Sequence, residues 1–236
     1  MKINRVTITG ADNNTDIKEM LEISKQYPFV EWGILFSPKR IGEERYPDSD
    51  WLDKLSKKYS YDAIRLSAHL CGGYTREMLL GKSDLINPPD IKHFLALCGR
   101  MQLNFNAQKT TVDENKFFAL VNCFIGGRII LQQNKSNKNI CDEARKRNLK
   151  NISFLYDSSG GRGTIASQWK KPFDGFFTGY AGGLSPENLE EELKKIEEVA
   201  GDSEIWIDTE SRVRTNGVLD MDKVKQFLQI ALKYTS

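Results

Sequence analysis

The chain has 236 residues, of which 34 are lysine or arginine and 32 are aspartate or glutamate, so its formal net charge is only +2. This balance excludes the strongly basic surface that attracts nucleic acid. No apolar run approaches the roughly 18 residues of a membrane span, and the N-terminus lacks the apolar core of a secretory signal. We therefore expect a cytoplasmic protein whose partner is a small molecule, with no nucleic acid and no membrane. The sequence leaves the oligomeric state open.

The predicted elements alternate regularly along the chain. Short runs of β-branched and aromatic residues are followed by amphipathic helical patterns, which is typical of repeated βα units around a parallel sheet. Eight strands are predicted, at about residues 5–10, 31–37, 63–70, 101–107, 128–134, 152–157, 174–179 and 204–210. Eight units in a chain of this length favour an α/β fold with one domain over residues 1–236, a (β/α)8 TIM barrel, rather than an open doubly wound sheet.

Two long connections interrupt the alternation. In residues 71–90, Cys-Gly-Gly-Tyr and Asn-Pro-Pro flank a short stretch, which predicts an enlarged βα loop. Loops of this kind lie at the C-terminal face of a barrel, where active sites occur, so the loop is a candidate lid. The charged loop after the second strand contains Arg40, which is either a substrate clamp or part of a solvated turn.

Polar side chains occupy one face of several predicted strands. Residues that alternate along a strand point to opposite faces. The apolar face should pack on the helices, so the polar face should point into the barrel, where a purely structural barrel carries bulky branched residues. We predict that the polar set converges at the mouth to bind a substrate: Arg65, His69, Asn104, Asn106, Gln132, Asp157 and Asp208. The alternative is a network that satisfies itself, for instance through an ion pair of Arg65 with Asp208.

The closing half of the chain contains a candidate acid and a candidate anion site. Asp157 ends an apolar strand and precedes a glycine loop, which makes it the first candidate for catalysis. Loops after strands 7 and 8 that lead into helix N-termini frequently bind phosphate in this fold. The residues predicted to contact a phosphate are Gly160, Gly161, Gly182, Gly183 and Ser211.

Three segments resemble, in order and spacing, the closing half of phosphoribosylanthranilate isomerases. They are Asp157-Ser-Ser-Gly-Gly-Arg-Gly163, Ala181-Gly-Gly-Leu-Ser-Pro-Glu-Asn-Leu189 and the stretch from Ile207 to Asp220. The resemblance is thinner in the first half and poor from about 71 to 127. It implies a barrel that performs an Amadori rearrangement, the aldose-to-ketose isomerisation of a phosphorylated ribosyl amine. It also implies that Asp157 is the general acid and that the loops after strands 7 and 8 hold phosphate.

The chain departs from the family at two places in the site. Thr9 stands where the family has its cysteine base, and a threonine hydroxyl cannot act as a base unless a partner deprotonates it. Glu210 and Arg212 replace small residues in the strand 8 loop. A carboxylate beside a phosphate is unfavourable unless Arg212 or Arg214 neutralises it. The ordinary isomerase activity is therefore expected to be absent or weak.

Three functions remain open. The leading one is an isomerase-like enzyme, without a cofactor, that acts by acid/base chemistry through Asp157 on a different small sugar-type ligand, phosphorylated or not, with Thr9 in place of the family's base. The second is a metal-dependent epimerase or lyase in which His69 shares a divalent cation with Asp157, Asp208 or Glu210. The third is a non-catalytic barrel that binds a small molecule.

Overall fold

The computed structural model describes residues 1–58, 63–82, 89–124, 128–157 and 163–235. Eight parallel strands close into a barrel in chain order, which confirms the predicted (β/α)8 fold. The ring closes because β1 pairs with both β2 and β8. The strands are β1 (Lys2–Thr9), β2 (Val30–Phe36), β3 (Leu66–Leu70), β4 (Arg100–Leu103), β5 (Arg128–Gln133), β6 (Ile152–Asp157), β7 (Thr178–Ala181) and β8 (Glu204–Thr209).

Eight α-helices occur within the described ranges, and apolar stripes on them pack on the outside of the barrel. They are α1 (Ile17–Gln26), α2 (Ser49–Lys58), α3 (Gly73–Leu79), α4 (Pro89–Leu97), α5 (Glu114–Asn122), α6 (Lys138–Lys146), α7 (Leu189–Ala200) and α8 (Met221–Leu232). The side chains of Asp16, Asp113 and Asp220 accept backbone N–H groups at the starts of α1, α5 and α8. A short hairpin of β9 (Arg214–Thr215) and β10 (Val218–Leu219) follows β8.

The connection between β3 and β4 contains two helices, α3 and α4. The sequence predicted an enlarged loop at 71–90 as a candidate lid, but α3 is part of the outer layer. It buries Tyr74, Met78 and Leu79 in the core and contacts α5. None of its residues lines the cavity at the barrel mouth. The lid prediction is therefore wrong for α3, and residues 83–88 lie outside the described part of the chain.

The connection between β6 and β7 contains no helix in its described residues, 163–177. Aromatic side chains cover the barrel wall here instead. The Phe154 ring lies 5.0 Å from the Phe173 ring and 5.2 Å from the Phe176 ring, both edge-on. The predicted seventh strand, 174–179, is displaced to Thr178–Ala181, because Phe173 and Phe176 pack over the outer face of β6 and belong to this cover.

The barrel interior is separate from the outer core. A small apolar cluster fills part of it: Ile130, Leu155, Ala181 and Trp206. Gly179 on β7 makes room for the Trp206 indole, since a Cβ at this position would overlap the ring system. The lack of a side chain at residue 179 is therefore what allows tryptophan on β8 to fill the lumen.

We expect Gly179→Ala to destabilise the fold by about 1–3 kcal/mol, because the added methyl group overpacks a closed interior. Thermal and urea unfolding would measure the change. Gly99→Ala is the matched control, since a Cβ at Gly99 meets no other atom within 4 Å. If the two variants had the same free energy of unfolding, the tight fit of Trp206 against β7 would contribute little to stability.

Candidate functional site

The carboxyl ends of the strands surround a cavity of about 610 Å³, within the range of small-molecule sites. Residues from all eight strands, or from the segments that follow them, line it. The structure brings together most of the residues predicted to lie here: Thr9, Arg40, His69, Asn104, Asn106, Gln132, Asp157, Gly182, Gly183, Asp208 and Ser211. Gly160 and Gly161 lie outside the described residues.

Arg65 is not part of this cavity. Strand β3 begins at Leu66, so Arg65 precedes it, is exposed to solvent and lines a different pocket at the amino end of the barrel. It shares the face of His69, but four residues of strand separate the two positions by roughly 13 Å. The predicted substrate contact and the ion pair with Asp208 are both wrong for this reason.

Thr9 and Asp208 line the cavity side by side, on the neighbouring strands β1 and β8. The Thr9 hydroxyl lies 3.2 Å from each carboxyl oxygen of Asp208, and both residues are buried. Burial raises the pKa of Asp208 well above its ordinary range, and the nearby carboxylates of Glu210 and Asp157 raise it further against the Thr9 hydrogen bond and Arg100. A carboxyl group with a raised pKa is a stronger base than an ordinary carboxylate, which suits it to accept a proton.

His69 lies beside this pair and is uncharged at neutral pH. Burial, opposed by Glu31 and reinforced by Arg100, lowers its pKa to about 4. Gly33 lies between Thr9 and His69, and a residue with a side chain would not fit there. A Cβ at this position would lie 2.5 Å from the Thr9 hydroxyl oxygen and 3.0 Å from His69 Nε2. Nε2 is buried and has no hydrogen-bond partner among the described residues. The neutral imidazole can therefore serve the cavity as a hydrogen-bonding group without adding charge.

Cys71 and Tyr46 belong to the same wall, and the sequence did not indicate either. Asn104 donates its side-chain amide to the Cys71 sulfur at 3.2 Å. Burial raises the pKa of the Cys71 thiol, and it raises the pKa of Tyr46 to about 12. Both groups therefore remain protonated at neutral pH. Cys71 follows the last residue of β3, and that position is the signal that could have identified it.

The carboxylate of Glu210 is neutralised by a residue that the sequence did not suggest. Arg45 Nη1 lies 2.9 Å from Glu210 Oε1. Arg212 instead donates to the carbonyl of Gly163 at 3.2 Å. Arg214 is buried and holds the β1 loop, donating to Gly10 O at 2.6 Å and pairing with Asp12 at 2.9 Å. Of the described residues, it is therefore Arg45 in the charged loop after β2 that pairs with Glu210, and not Arg212 or Arg214, the two residues considered for this role.

A buried ion pair lies in the lumen below the cavity. Arg100 Nε donates to both carboxyl oxygens of Glu31 at 3.1 Å, and Arg5 Nη1 donates to Glu31 at 2.8 Å. The Arg100 guanidinium also lies 4.4 Å from the Trp206 ring centre. Burial alone would raise the pKa of Glu31, but Arg100 and Arg5 outweigh it and hold the pKa at about 2. These ion pairs lie apart from the residues predicted to converge at the mouth, and Arg5 Nε and Arg100 Nη1 have no hydrogen-bond partner among the described residues.

The raised pKa of Asp208 predicts a pH-dependent stability. The folded state binds this proton more tightly than the unfolded chain, whose carboxyl has an ordinary pKa near 3.8, so ionising Asp208 above that pH costs stability. We expect Asp208→Asn to be more stable than the wild type at pH 8 and similar below pH 3.8. Thermal unfolding across this pH range measures the difference, with Asp202→Asn at an exposed position as the control. An Asp208→Asn variant that is less stable at pH 8 would contradict the prediction.

Two absences hold for the described ranges. No three His, Cys, Asp or Glu side chains are close enough together there to hold a metal ion, including His69 with the carboxylates of the mouth. No helix there is both long and apolar enough to cross a membrane.

Comparison with known proteins extends the resemblance noted in the sequence. Residues 119–230, slightly less than half of the chain, match the family of N-(5'-phosphoribosyl)anthranilate (PRA) isomerases. No curated protein matches in sequence. A monomeric form generated from the dimeric phosphoribosylanthranilate isomerase of Thermotoga maritima is 18% identical, with a TM-score of 0.60 over 98% of this chain and 99% of that one.

Two other solved structures share the barrel. The N-(5'-phosphoribosyl)anthranilate isomerase of Pyrococcus furiosus is 16% identical, with a TM-score of 0.57 over 97% of this chain and 98% of that one. The 3-hexulose-6-phosphate synthase of Salmonella typhimurium is 12% identical, with a TM-score of 0.53 over 98% and 99% of the two chains. Identities this low show a common fold. The resemblance to phosphoribosylanthranilate isomerases is thus confirmed, with the family's sequence pattern in residues 119–230 and its barrel over nearly the whole chain.

Proposed function

We propose that the chain isomerises a small sugar-type ligand by proton transfer, with Asp157 as the general acid and Asp208 as the general base. The observation that carries this proposal is the Thr9–Asp208 pair. Thr9 takes the position of the family's cysteine, and it lies against a buried carboxyl group whose pKa is raised. Asp208 can accept a carbon-bound proton, a role that the threonine hydroxyl cannot fill by itself.

The proposed chemistry needs a donor and an acceptor on different sides of the ligand. Protonation of the ring oxygen by Asp157 would open the sugar ring, and Asp208 would take the C2 proton to form an enediol or enolamine. Return of that proton from Asp208 to C1, with loss of the O2 proton to solvent, would give the ketose, and Asp157 would regain its proton from solvent. Both carboxyl groups line the same cavity, on β6 and β8. Thr9 would keep the Asp208 carboxylate oriented, and the neutral His69 would hydrogen-bond a ligand oxygen. Thr9 is thus proposed as a positioning residue.

An anionic end of the ligand would contact the segments after β7 and β8. Gly182 and Gly183 have positive φ angles of 103° and 73° and line the cavity with Ser211. A side chain at Gly183 would collide with the backbone of residues 163–165. Arg45 and Arg212 line the same region. The pairing of Arg45 with Glu210 removes the repulsion that an isolated carboxylate would exert on a phosphate.

Deuterium exchange tests the proposal without a prior choice of product. The protein would be incubated in D2O with aldoses, aldose phosphates and N-(5'-phosphoribosyl)anthranilate, and mass spectrometry would detect deuterium gained at carbon. We expect exchange with at least one of these compounds and none with Asp208→Asn. A compound that stabilises the protein against heat yet gains no deuterium would instead support the non-catalytic barrel, which the loss of the cysteine at Thr9 favours.

A further inference from the structure

A second cavity, of about 370 Å³, opens at the end of the barrel opposite the mouth. Residues at the starts of three strands line this cavity: Val30 and Glu31 begin β2, Leu66 begins β3 and Gly99 directly precedes β4. The cavity therefore lies at the amino ends of the strands. Three cationic side chains line it as well: Arg5, Lys25 and Arg65. We call this cavity, defined by the three cations with Glu31 and Gly99, the basal pocket.

The charges of the basal pocket do not cancel. Among the residues that the structure describes, Glu31 is the one acidic residue lining it, and Arg100 neutralises that carboxylate from inside the barrel. Arg5 also contacts Glu31, but its Nε atom is buried and has no hydrogen-bond partner within the described chain. Lys25 and Arg65 are exposed and form no ion pair with a described residue. The described lining of the pocket therefore has an excess of positive charge and hydrogen-bond donors without partners.

We propose that the basal pocket binds a small oxyanion of the phosphate type. Guanidinium groups present pairs of N–H donors that match the spacing of phosphate or carboxylate oxygens, and Lys25 adds a mobile point charge. The volume lies near the lower end of the range for small-molecule sites. Glu31 has to stay paired with Arg100, because a buried charge without its partner is costly. The anion would therefore contact Arg65, Lys25 and the guanidinium group of Arg5. This site is independent of the chemistry proposed for the mouth.

A titration with inorganic phosphate, followed by ¹H–¹⁵N NMR of the whole chain, separates the two ends of the barrel. The Gly99 and Arg65 amides report on the basal pocket, and the Gly182 and Gly183 amides report on the mouth. We expect the first pair to shift saturably with phosphate. In the double variant Lys25→Ser, Arg65→Ser the phosphate affinity reported by the Gly99 amide should weaken at least about tenfold, because two charged hydrogen-bond donors are lost. The response of Gly182 and Gly183 should be unchanged.

A charge-matched control excludes a general effect of net charge. Lys54→Ser with Arg76→Ser removes two exposed cations away from the basal pocket, and it should leave the Gly99 response as in the wild type. The proposal is overturned if Gly99 and Arg65 do not respond to phosphate in the wild type, if the pocket variant keeps its affinity, or if the control loses as much. Because the deuterium-exchange assay reads only the mouth, its failure would not affect this result.

Discussion

Asp157→Asn is expected to lower the turnover of the true substrate by about 10²–10⁴-fold, the usual contribution of a general acid or base. Asparagine has nearly the same shape and occupies the same buried position at the end of β6, but it cannot donate the proton that opens the sugar ring. Ligand binding should change far less than turnover. The measurement is kcat and KM with whichever compound shows deuterium exchange.

The matched control for this variant is Asp174→Asn, which alters an exposed carboxylate in the segment between β6 and β7. It should leave both kcat and KM unchanged. Thermal unfolding of both variants checks that the fold is intact. An Asp157→Asn variant with wild-type turnover would remove Asp157 from the proposed mechanism, whatever its effect on binding.

Glu31→Gln is expected to destabilise the fold by about 3–5 kcal/mol, the cost of leaving a buried charge without its partner. Glutamine keeps the shape of the side chain, but Arg100, whose side chain is only 2% exposed, would retain an uncompensated charge beside Trp206. Urea unfolding at pH 7 measures the loss. The double variant Glu31→Leu, Arg100→Met removes both charges and should recover most of it.

The pH dependence provides a separate check on Glu31. The pKa of the Glu31 carboxyl is about 2 in the folded protein and 4.5 in its ordinary environment. Its contribution to the free energy of unfolding is therefore fully present above pH 4.5 and declines as the pH falls towards 2. The stability difference between wild type and Glu31→Gln should shrink over the same interval. A difference that is small at pH 7, or that does not change with pH, would show that the pair contributes little.

The fold could be predicted from sequence because its two periodicities are local. Alternation every second residue marked the strands, and spacing of three and four marked the helices. The seventh strand, predicted at 174–179, was placed too early because Phe176 looks like a strand residue but covers β6 from outside. Arg65 was misassigned because alternation gives the face of a residue and not its height in the barrel. A charged residue at a predicted strand boundary, such as Arg100, gave no sign of its buried partner on β2.

The cavity at the mouth could be predicted from the polar faces of the strands, but the contacts between its side chains could not. Thr9 and Asp208 are 199 residues apart, and Arg45 and Glu210 are 165 apart. Contacts at such separations depend on where the barrel closes, since β1 must lie beside β8 before Thr9 can reach Asp208. Sequence patterns therefore located the set of candidate residues, while the closed sheet determined which of them meet.

The aromatic cover between β6 and β7 has a consequence for the order in which the chain folds. A helix can begin to form from neighbouring residues before it docks, but residues 163–177 have no helical hydrogen bonds of their own. The segment is held by contacts to the two flanking strands and to α7: Tyr156 OH and Tyr180 OH donate to the carbonyls of Lys171 and Lys170, and Trp169 Nε1 donates to Glu192. Each of these contacts needs the element that carries its partner, which is β6 for Tyr156, β7 for Tyr180 and α7 for Glu192. We therefore expect this wall of the barrel to become ordered last.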